Sequence, residues 1–114
     1  MMKSLLLCAA LAAATLGATP DPPPHIVSIW MSQSSARRGD VVRGRVVASK
    51  NTASVEVRVG GYGTVMQKID ATTFVMAYRV PWTPFFLHRT WTVRVIARNI
   101  AGVASEQDTA IAVR

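Results

Sequence analysis

Cysteine is almost absent from this chain, and its one example, Cys8, lies close to the beginning of the sequence. The surrounding segment starts with the positive Lys3, continues as an apolar run over residues 5–16 and ends in small residues. This pattern is typical of a secretory signal peptide. The run is shorter than the ~20 apolar residues that cross a bilayer, which leaves an uncleaved anchor as the weaker alternative. We predict a signal peptide over residues 1–18.

Removal of that peptide would leave a chain without cysteine, and therefore without a disulfide. The roughly 95 residues that remain suffice for one small domain. Exported proteins often contain disulfides. Their absence excludes the disulfide-stapled class and favours a bacterial periplasm or cell surface over an animal secretion. We therefore expect an exported bacterial protein that lies in the periplasm, on the cell surface or outside the cell.

Acidic residues are also scarce, with six Asp and Glu against 13 Lys and Arg and a formal net charge of +7. Without Lys3, twelve basic residues remain, and ten of them are arginine. A basic surface favours anionic partners such as lipid headgroups, envelope polymers or nucleic acid, and export makes nucleic acid the least favoured of these. The alternative is that the charge serves solubility alone and reflects an arginine-rich genome.

Patterns of catalysis and metal binding are missing too. The six carboxylates are scattered, and no pair is spaced for acid–base catalysis. No serine lies in a G-x-S-x-G motif, and no glycine-rich loop precedes a helix that could hold a phosphate. His25 and His88 have no cluster of further ligands around them, whereas a metal site needs three or four. We expect a non-enzymatic protein without a metal or a cofactor.

Helical periodicity is absent from the rest of the chain, where apolar residues alternate with polar ones in short runs between turn residues. This period-two pattern indicates half-buried β-strands, and turn signals every ~8–12 residues are typical of a β-sandwich. The seven predicted strands cover residues 25–31, 40–49, 53–59, 64–69, 73–80, 90–98 and 106–113.

The alternation also assigns the two faces of these strands. One face is apolar and is predicted to point into the core between two antiparallel sheets, while the other face carries most of the arginines. The predicted inward residues are Val42, Gly44, Val46, Ala48, Val55, Val57, Val59, Phe74, Met76, Tyr78, Val80, Trp91, Val93, Val95, Ala97, Thr109, Ile111 and Val113.

Three segments carry a resemblance to a known family. RRGDVVRGRVVAS, residues 37–49, resembles the second strand and its preceding turn in bacterial immunoglobulin-like domains, and ASVEVRVGG, residues 53–61, is similar to their third strand. RTWTVRVIARNIAGVAS, residues 89–105, is similar to their sixth strand and the turn after it, with Trp91 at the usual tyrosine position. The resemblance covers most of residues 26–113, and the Cys–Trp–Cys set of antibody domains is missing.

The resemblance implies an all-β fold, a seven-stranded antiparallel β-sandwich of the immunoglobulin or fibronectin III type over residues 26–114. It also implies an extracytoplasmic module used for adhesion, spacing or binding, and it implies no catalytic residues. The preceding TPDPPPH, residues 19–25, is predicted to be a proline-rich linker that is extended and has no packing partner of its own.

An RGD tripeptide occurs at Arg38, Gly39 and Asp40. Displayed on a loop tip, this tripeptide can bind an integrin. Here it stands where a turn must lead into the next strand; glycine permits the unusual backbone angle, and aspartate can bond back to the turn. We therefore interpret it as a structural turn.

The segment VPWTPFFLHRTW, residues 80–91, is the most aromatic stretch of the chain. Its two ends, Val80 and Trp91, are predicted core residues, and its prolines break strand pairing. The aromatic and aliphatic side chains between them either plug the end of the sandwich or stay exposed for binding. Those side chains belong to Trp82, Phe85, Phe86 and Leu87.

Alternate loops share one end of a sandwich when consecutive strands run antiparallel. The residues expected together at one end are Arg37, Arg38, Tyr62, Trp82, Phe85, Phe86, His88 and Arg89. Arginine and aromatic side chains are favoured at surfaces that bind proteins, glycans or anionic lipid membranes. Our candidate ligand-binding residues are Trp82, Phe85, Phe86, Tyr62, Arg37, Arg38 and Arg89.

Two functions remain open at this point. The first is a non-catalytic module with a structural or protein-interaction role. The second is binding of an envelope polyanion, a glycan or a membrane surface through the aromatic and basic loops. The expected partner is accordingly another protein or an anionic component of the cell envelope.

Overall fold

The computed structural model describes residues 21–81 and 89–114. These residues form nine β-strands with turns between them, and this part of the chain contains no helix. The strands are β1 (Ile26–Met31), β2 (Ser35–Ala36), β3 (Val41–Ala48), β4 (Ser54–Val59), β5 (Tyr62–Val65), β6 (Gln67–Lys68), β7 (Thr73–Arg79), β8 (Thr90–Arg98) and β9 (Ala104–Val113). The all-β class predicted from the sequence is confirmed.

The strands are arranged in two sheets. The first sheet has the order β1-β3-β7-β6, and the second sheet has the order β2-β9-β8-β4-β5. Within the described residues every paired strand is antiparallel to its neighbour except β2, which runs parallel to β9. One hydrophobic core draws on residues of both sheets, as in a β-sandwich.

The core consists of the alternating apolar residues. Every predicted inward residue is buried or half-buried, and Phe74, Val46, Val55 and Val95 are among the largest side chains with less than 2% exposure. Burying one such side chain contributes about 1.5–3 kcal/mol, so the alternation itself supplies much of the stability. Ile96 departs from the pattern, because it is only 4% exposed although it lies on the other face of β8.

The described residues contain nine strands where the sequence predicts seven. The predicted strand over residues 64–69 is divided between β5 of the second sheet and β6 of the first. The chain changes sheets at Met66, which is 5% exposed and whose N–H donates to the Val55 carbonyl at 2.8 Å. β2 is the other added strand, and two residues are too few for a period-two pattern to be recognised.

The described part of the predicted proline-rich linker, residues 21–25, is called the lead-in from here on. It packs against the domain, which contradicts the prediction that the linker has no packing partner. Pro24 is fully buried, and the Pro22 carbonyl accepts hydrogen bonds from the Asn51 and Asn99 side chains at 2.9 and 3.1 Å. The prediction was wrong for residues 21–25 because the two asparagines are distant in sequence and only the fold brings them to the prolines.

An apolar cavity of about 80 Å³ lies between the two sheets. Its walls include Gly44, Met66 and Met76, together with valines of both sheets. It is small beside the several hundred Å³ of an ordinary ligand pocket, so we interpret it as a packing defect at the position where β3 carries a glycine.

The predicted signal peptide, residues 1–18, lies outside the described residues. In the part of the chain that is described, no helix is long and apolar enough to cross a membrane.

Candidate functional site

The turn between β2 and β3, residues 37–40, forms one side of the candidate site. Asp40 closes this turn, since its carboxylate accepts hydrogen bonds from the Arg37 backbone N–H at 2.9 Å and the Gln33 side-chain amide at 3.1 Å. Gly39 has a φ of 89°, a conformation that glycine adopts without steric cost. The RGD tripeptide is therefore a structural turn, as the sequence predicts.

Backbone hydrogen bonds hold this turn against the end of β7. The Gly39 N–H donates to the Val80 carbonyl at 2.9 Å, and the Val80 N–H donates to the Asp40 carbonyl at 2.8 Å. The Arg79 guanidinium donates to the Gly39 carbonyl at 3.2 Å. Because the turn is fixed from both directions, the arginines on it are carried by rigid backbone.

Arg89 and the end of β9 lie beside the same turn. The Val113 N–H donates to the Arg89 carbonyl at 2.9 Å, and the Arg114 N–H donates to the Ala36 carbonyl at 2.8 Å. Since Ala36 directly precedes Arg37, these two bonds place the backbones of Arg37, Arg89 and Arg114 at one end of the sandwich. We call this the loop end; it comprises residues 37–40, 60–62, 79–81, 89–91 and 113–114.

Trp91 connects the two sides of the loop end. The Arg89 guanidinium carbon lies 3.8 Å from the centre of the Trp91 ring, which is cation–π geometry. The turn between β4 and β5 approaches the same ring, because a Cβ on Gly60 would stand 3.0 Å from an indole carbon. Trp91 is half-buried and packs against the core. Its main role at the loop end is therefore to hold the Arg89 side chain in place.

Tyr62 is the exposed aromatic residue of the described loop end. It follows the Gly60–Gly61 turn, pairs with Val59 and is 57% exposed. Its ring centre is 5.5 Å from that of Tyr78, with the planes tilted by 46°. Burial raises the pKa of Tyr78, and the neighbouring Tyr62 raises it further. The Tyr78 phenol therefore remains a neutral hydrogen-bonding group at physiological pH.

The structure places Arg37, Arg38, Arg89 and Tyr62 at this end of the sandwich. The remaining candidate residues, Trp82, Phe85 and Phe86, lie outside the described residues, as do Leu87 and His88. Whether those aromatic side chains plug the sandwich or bind a ligand stays a prediction.

The electrostatics of the described loop end are dominated by guanidinium groups. The nearby carboxylate is that of Asp40, and the hydrogen bond from the Arg37 backbone N–H, followed by that from Gln33, holds its pKa below the usual value of 3.8. Asp40 is thus ionised at neutral pH, and its carboxylate is engaged in the hydrogen bonds that close its own turn. The arginines can form charge-assisted hydrogen bonds with carboxylates, phosphates or sulfates.

Within residues 21–81 and 89–114, no three His, Cys, Asp or Glu residues are grouped so that they could hold a metal ion.

Sequence reasoning did not single out Trp30. This residue is 52% exposed on the outer face of the first sheet, and the Arg45 guanidinium carbon lies 5.7 Å from the centre of its ring. The signal was present in the alternation, because Ile29 and Met31 face the core and an outward Trp30 follows from period two.

Comparison with family models finds no match to this sequence, and comparison with curated proteins finds none either. Several solved structures share the fold. A DUF4785 family protein from Legionella pneumophila matches with a TM-score of 0.60 at 13% identity, over 75% of this chain and 27% of that one. The sporulation control protein Spo0M from Bacillus subtilis matches with a TM-score of 0.55 at 12% identity, over 82% of this chain and 50% of that one.

The sulfur carrier protein SoxY from Chlorobium limicola f thiosulfatophilum matches with a TM-score of 0.52 at 14% identity, over 94% of this chain and 96% of that one. This chain therefore spans about a quarter of the Legionella protein, half of Spo0M and almost all of SoxY. At such low identity the likeness concerns the fold alone. The chain is a small all-β domain of the β-sandwich kind.

Proposed function

We propose that this chain is an exported, non-catalytic immunoglobulin-like module with a structural or protein-interaction role. The order of its strands carries the proposal. In the letters used for immunoglobulin domains, the first sheet corresponds to A-B-E-D and the second to A′-G-F-C-C′. The three sequence segments that resemble bacterial immunoglobulin-like domains supply strands B, C and F of that arrangement.

Export is supported by the signal-peptide pattern of residues 1–18. Fractionation of bacteria that express the full chain tests this part of the proposal. We expect the protein in the periplasm, envelope or medium, and we expect a variant without residues 1–18 to stay in the cytoplasm. Equal distribution of the two proteins would contradict export.

A second candidate function is binding of an envelope polyanion, a glycan or a membrane surface at the loop end. The Arg89–Trp91 stack beside the rigid turn of Arg37 favours it, because arginine and aromatic side chains together suit anionic and glycan surfaces. In this function Trp82, Phe85, Phe86 and Tyr62 would add aromatic contacts.

Binding of the purified protein to isolated bacterial envelope tests the second function. We expect Arg37→Gln combined with Arg89→Gln, or Trp82→Ala combined with Phe85→Ala, to weaken binding several-fold, and added salt to weaken it further because exposed charges are screened. Lys50→Gln, at the opposite end of the sandwich, is the control. An affinity for the envelope that is unchanged by the loop-end variants and by the salt concentration would contradict this function.

The absence of catalysis is tested by a broad screen with hydrolase substrates. We expect no turnover above background from the purified protein. Turnover that follows the protein through purification would contradict a non-catalytic module.

A further inference from the structure

The outer face of the second sheet is a balanced network of ion pairs. Glu56 pairs with Arg58 and, at 3.2 Å, with Arg98. Arg94 pairs with Asp108 at 3.2 Å and with Glu106 at 3.7 Å. Each arginine of β4 and β8 thus has a carboxylate partner, on the same strand for Arg58 and on a neighbouring strand for Arg94 and Arg98. The three arginines and three carboxylates make this face neutral as a whole.

The outer face of the first sheet has arginines without carboxylates. None of its four strands contains an aspartate or a glutamate, whereas Arg43, Arg45 and Arg79 all lie on exposed positions of β3 and β7. The sandwich therefore has one electrically balanced face and one basic face, although both come from the same alternating sequence pattern.

Strand register brings the three arginines close together. Arg43 and Arg45 are two residues apart on β3, which places them on the same face about 7 Å from each other. Arg43 pairs with Ala77 of β7, so Arg79 is its diagonal neighbour, at about 7–8 Å. Val41 and Ala77 fill the positions between them and are exposed, which gives a flat surface of arginines with small apolar side chains among them.

Trp30 extends this surface onto the edge strand. It pairs with Arg45, whose guanidinium lies over the indole ring. Tryptophan and arginine are the side chains most often found at the energetic centre of protein interfaces. Because a cation covers the ring, insertion of Trp30 into the apolar part of a bilayer would require that charge to be desolvated, which is costly.

We propose that this face, formed by Trp30, Arg43, Arg45 and Arg79, binds an extended acidic segment of a protein partner. The segment carries carboxylates at alternate positions. An extended chain places every second side chain about 7 Å apart on one side, and this spacing equals that of Arg43 and Arg45. Each guanidinium fork can then hold one carboxylate through two parallel hydrogen bonds. The inference rests on the proposed protein-interaction role and names the chemistry of the partner.

The test uses the full mature chain and a fluorescent peptide of alternating glutamate and threonine. A second peptide of the same composition has its glutamates in one block. Polyphosphate and vesicles with equal parts of phosphatidylcholine and phosphatidylglycerol are the other probes. We expect the alternating peptide to bind more tightly than the block peptide and than either of the other probes.

The variant for this test is Arg43→Gln combined with Arg45→Gln, which should weaken binding of the alternating peptide about tenfold. Lys50→Gln combined with Arg94→Gln removes the same charge elsewhere and should change binding less than about twofold. Peptide binding should also shift the amide NMR signals of β3 and β7 in the wild-type protein while leaving those of β4 and β8 unchanged, a readout that needs no variant to fold.

Three results would overturn the inference. These are equal binding of the two peptides, tighter binding of vesicles or polyphosphate, and NMR shifts confined to the second sheet or to the loop-end residues outside β7. None of them would remove the proposed interaction module, which fails separately if the protein is not exported or proves to be an enzyme.

Discussion

At the scale of single residues, glycine serves two opposite purposes in this protein. Gly44 lies at an inward position of β3, where a Cβ would meet Met76 at 3.4 Å and Met66 at 3.9 Å, both ordinary contacts. Gly60 has a φ of 60°, and a Cβ there would press on the Trp91 ring at 3.0 Å. The first glycine leaves space unfilled in the core, whereas the second allows a turn to close over an indole ring.

We therefore predict opposite effects of alanine at these two glycines. Gly44→Ala should raise the free energy of unfolding by about 0.5–1 kcal/mol, because it restricts the unfolded chain and adds a methyl group beside the cavity. Gly60→Ala should lower it by about 1–3 kcal/mol, because it combines a left-handed backbone with a close contact. Urea unfolding followed by tryptophan fluorescence measures both.

Gly102→Ala is the control for the turn glycine. Gly102 also has a positive φ, 86°, but a Cβ there would meet nothing within 4 Å. Alanine at this position therefore reports the backbone cost alone. An equal loss at Gly60 and Gly102 would show that the Trp91 contact contributes nothing.

At the scale of elements, the turn between β8 and β9 ties the start of the domain to its end. Asn99 is 3% exposed, and its side-chain oxygen accepts hydrogen bonds from the Ala101 and Val103 N–H groups at 3.0 and 2.9 Å. Its amide nitrogen donates to the carbonyls of Asp21 and Pro22 at 3.3 and 3.1 Å. One side chain thus shapes the turn and docks the proline-rich lead-in.

We predict that Asn99→Ala lowers the free energy of unfolding by about 2–4 kcal/mol, because the loss of the amide removes four hydrogen bonds to partly buried backbone groups. Asn51→Ala removes a side chain that is only half-buried and should cost less, about 1 kcal/mol. Chemical unfolding of the two variants gives the comparison. Equal losses would mean that Asn99 has no special role in the docking of the lead-in.

At the scale of the whole molecule, acidic side chains are few but most are engaged. Hydrogen bonds from the Arg37 and Thr72 N–H groups are the main causes that lower the pKa of Asp40 and Asp70 below 3.8, and the bond from Arg58 is the main cause that lowers the pKa of Glu56 below 4.5. A lowered folded-state pKa means that the ionised group stabilises the fold. This contribution is complete above the ordinary pKa and is lost as the pH falls through the lowered folded-state value.

We predict that the free energy of unfolding is nearly constant from pH 7 to about pH 5 and falls steadily below about pH 4, as these carboxylates become protonated. Asp40→Asn combined with Asp70→Asn keeps an oxygen acceptor at each turn but removes two titrating groups. Its stability should therefore fall less steeply with acid. Unfolding curves of both proteins across this pH range measure the slopes, and identical slopes would contradict the assignment.

The period-two pattern was enough to predict most of the strands, and every residue that it assigned to the core is buried or half-buried. Ala36, Met66 and Ile96 are also buried, although the pattern did not assign them to the core. Strand alternation is a local property, since successive side chains point to opposite faces whatever the strand pairs with. Gly39 and Asp40 were likewise readable as a turn, because their conformational needs are intrinsic to those residues. Local physics also explains why the strand over residues 90–98 was predicted with the observed bounds.

The candidate surfaces were predicted less completely, because they depend on which strands become neighbours. Arg43 and Arg94 occupy equivalent outward positions in the sequence pattern, yet only Arg94 has acidic residues on the adjacent strand. The same reason applies to Met66, where the chain crosses between sheets, and to Pro22, which Asn99 reaches across the domain.

The sequence by itself determined the strand faces, the turns and the excess of positive charge, because each follows from residue type and spacing along the chain. Tertiary structure alone decided which arginines pair with carboxylates, as Arg94 does, and which lie on strands of a sheet without any, as Arg43 does. The reason is that cross-strand pairing joins residues distant in sequence, and alternation along one strand carries no information about its neighbour.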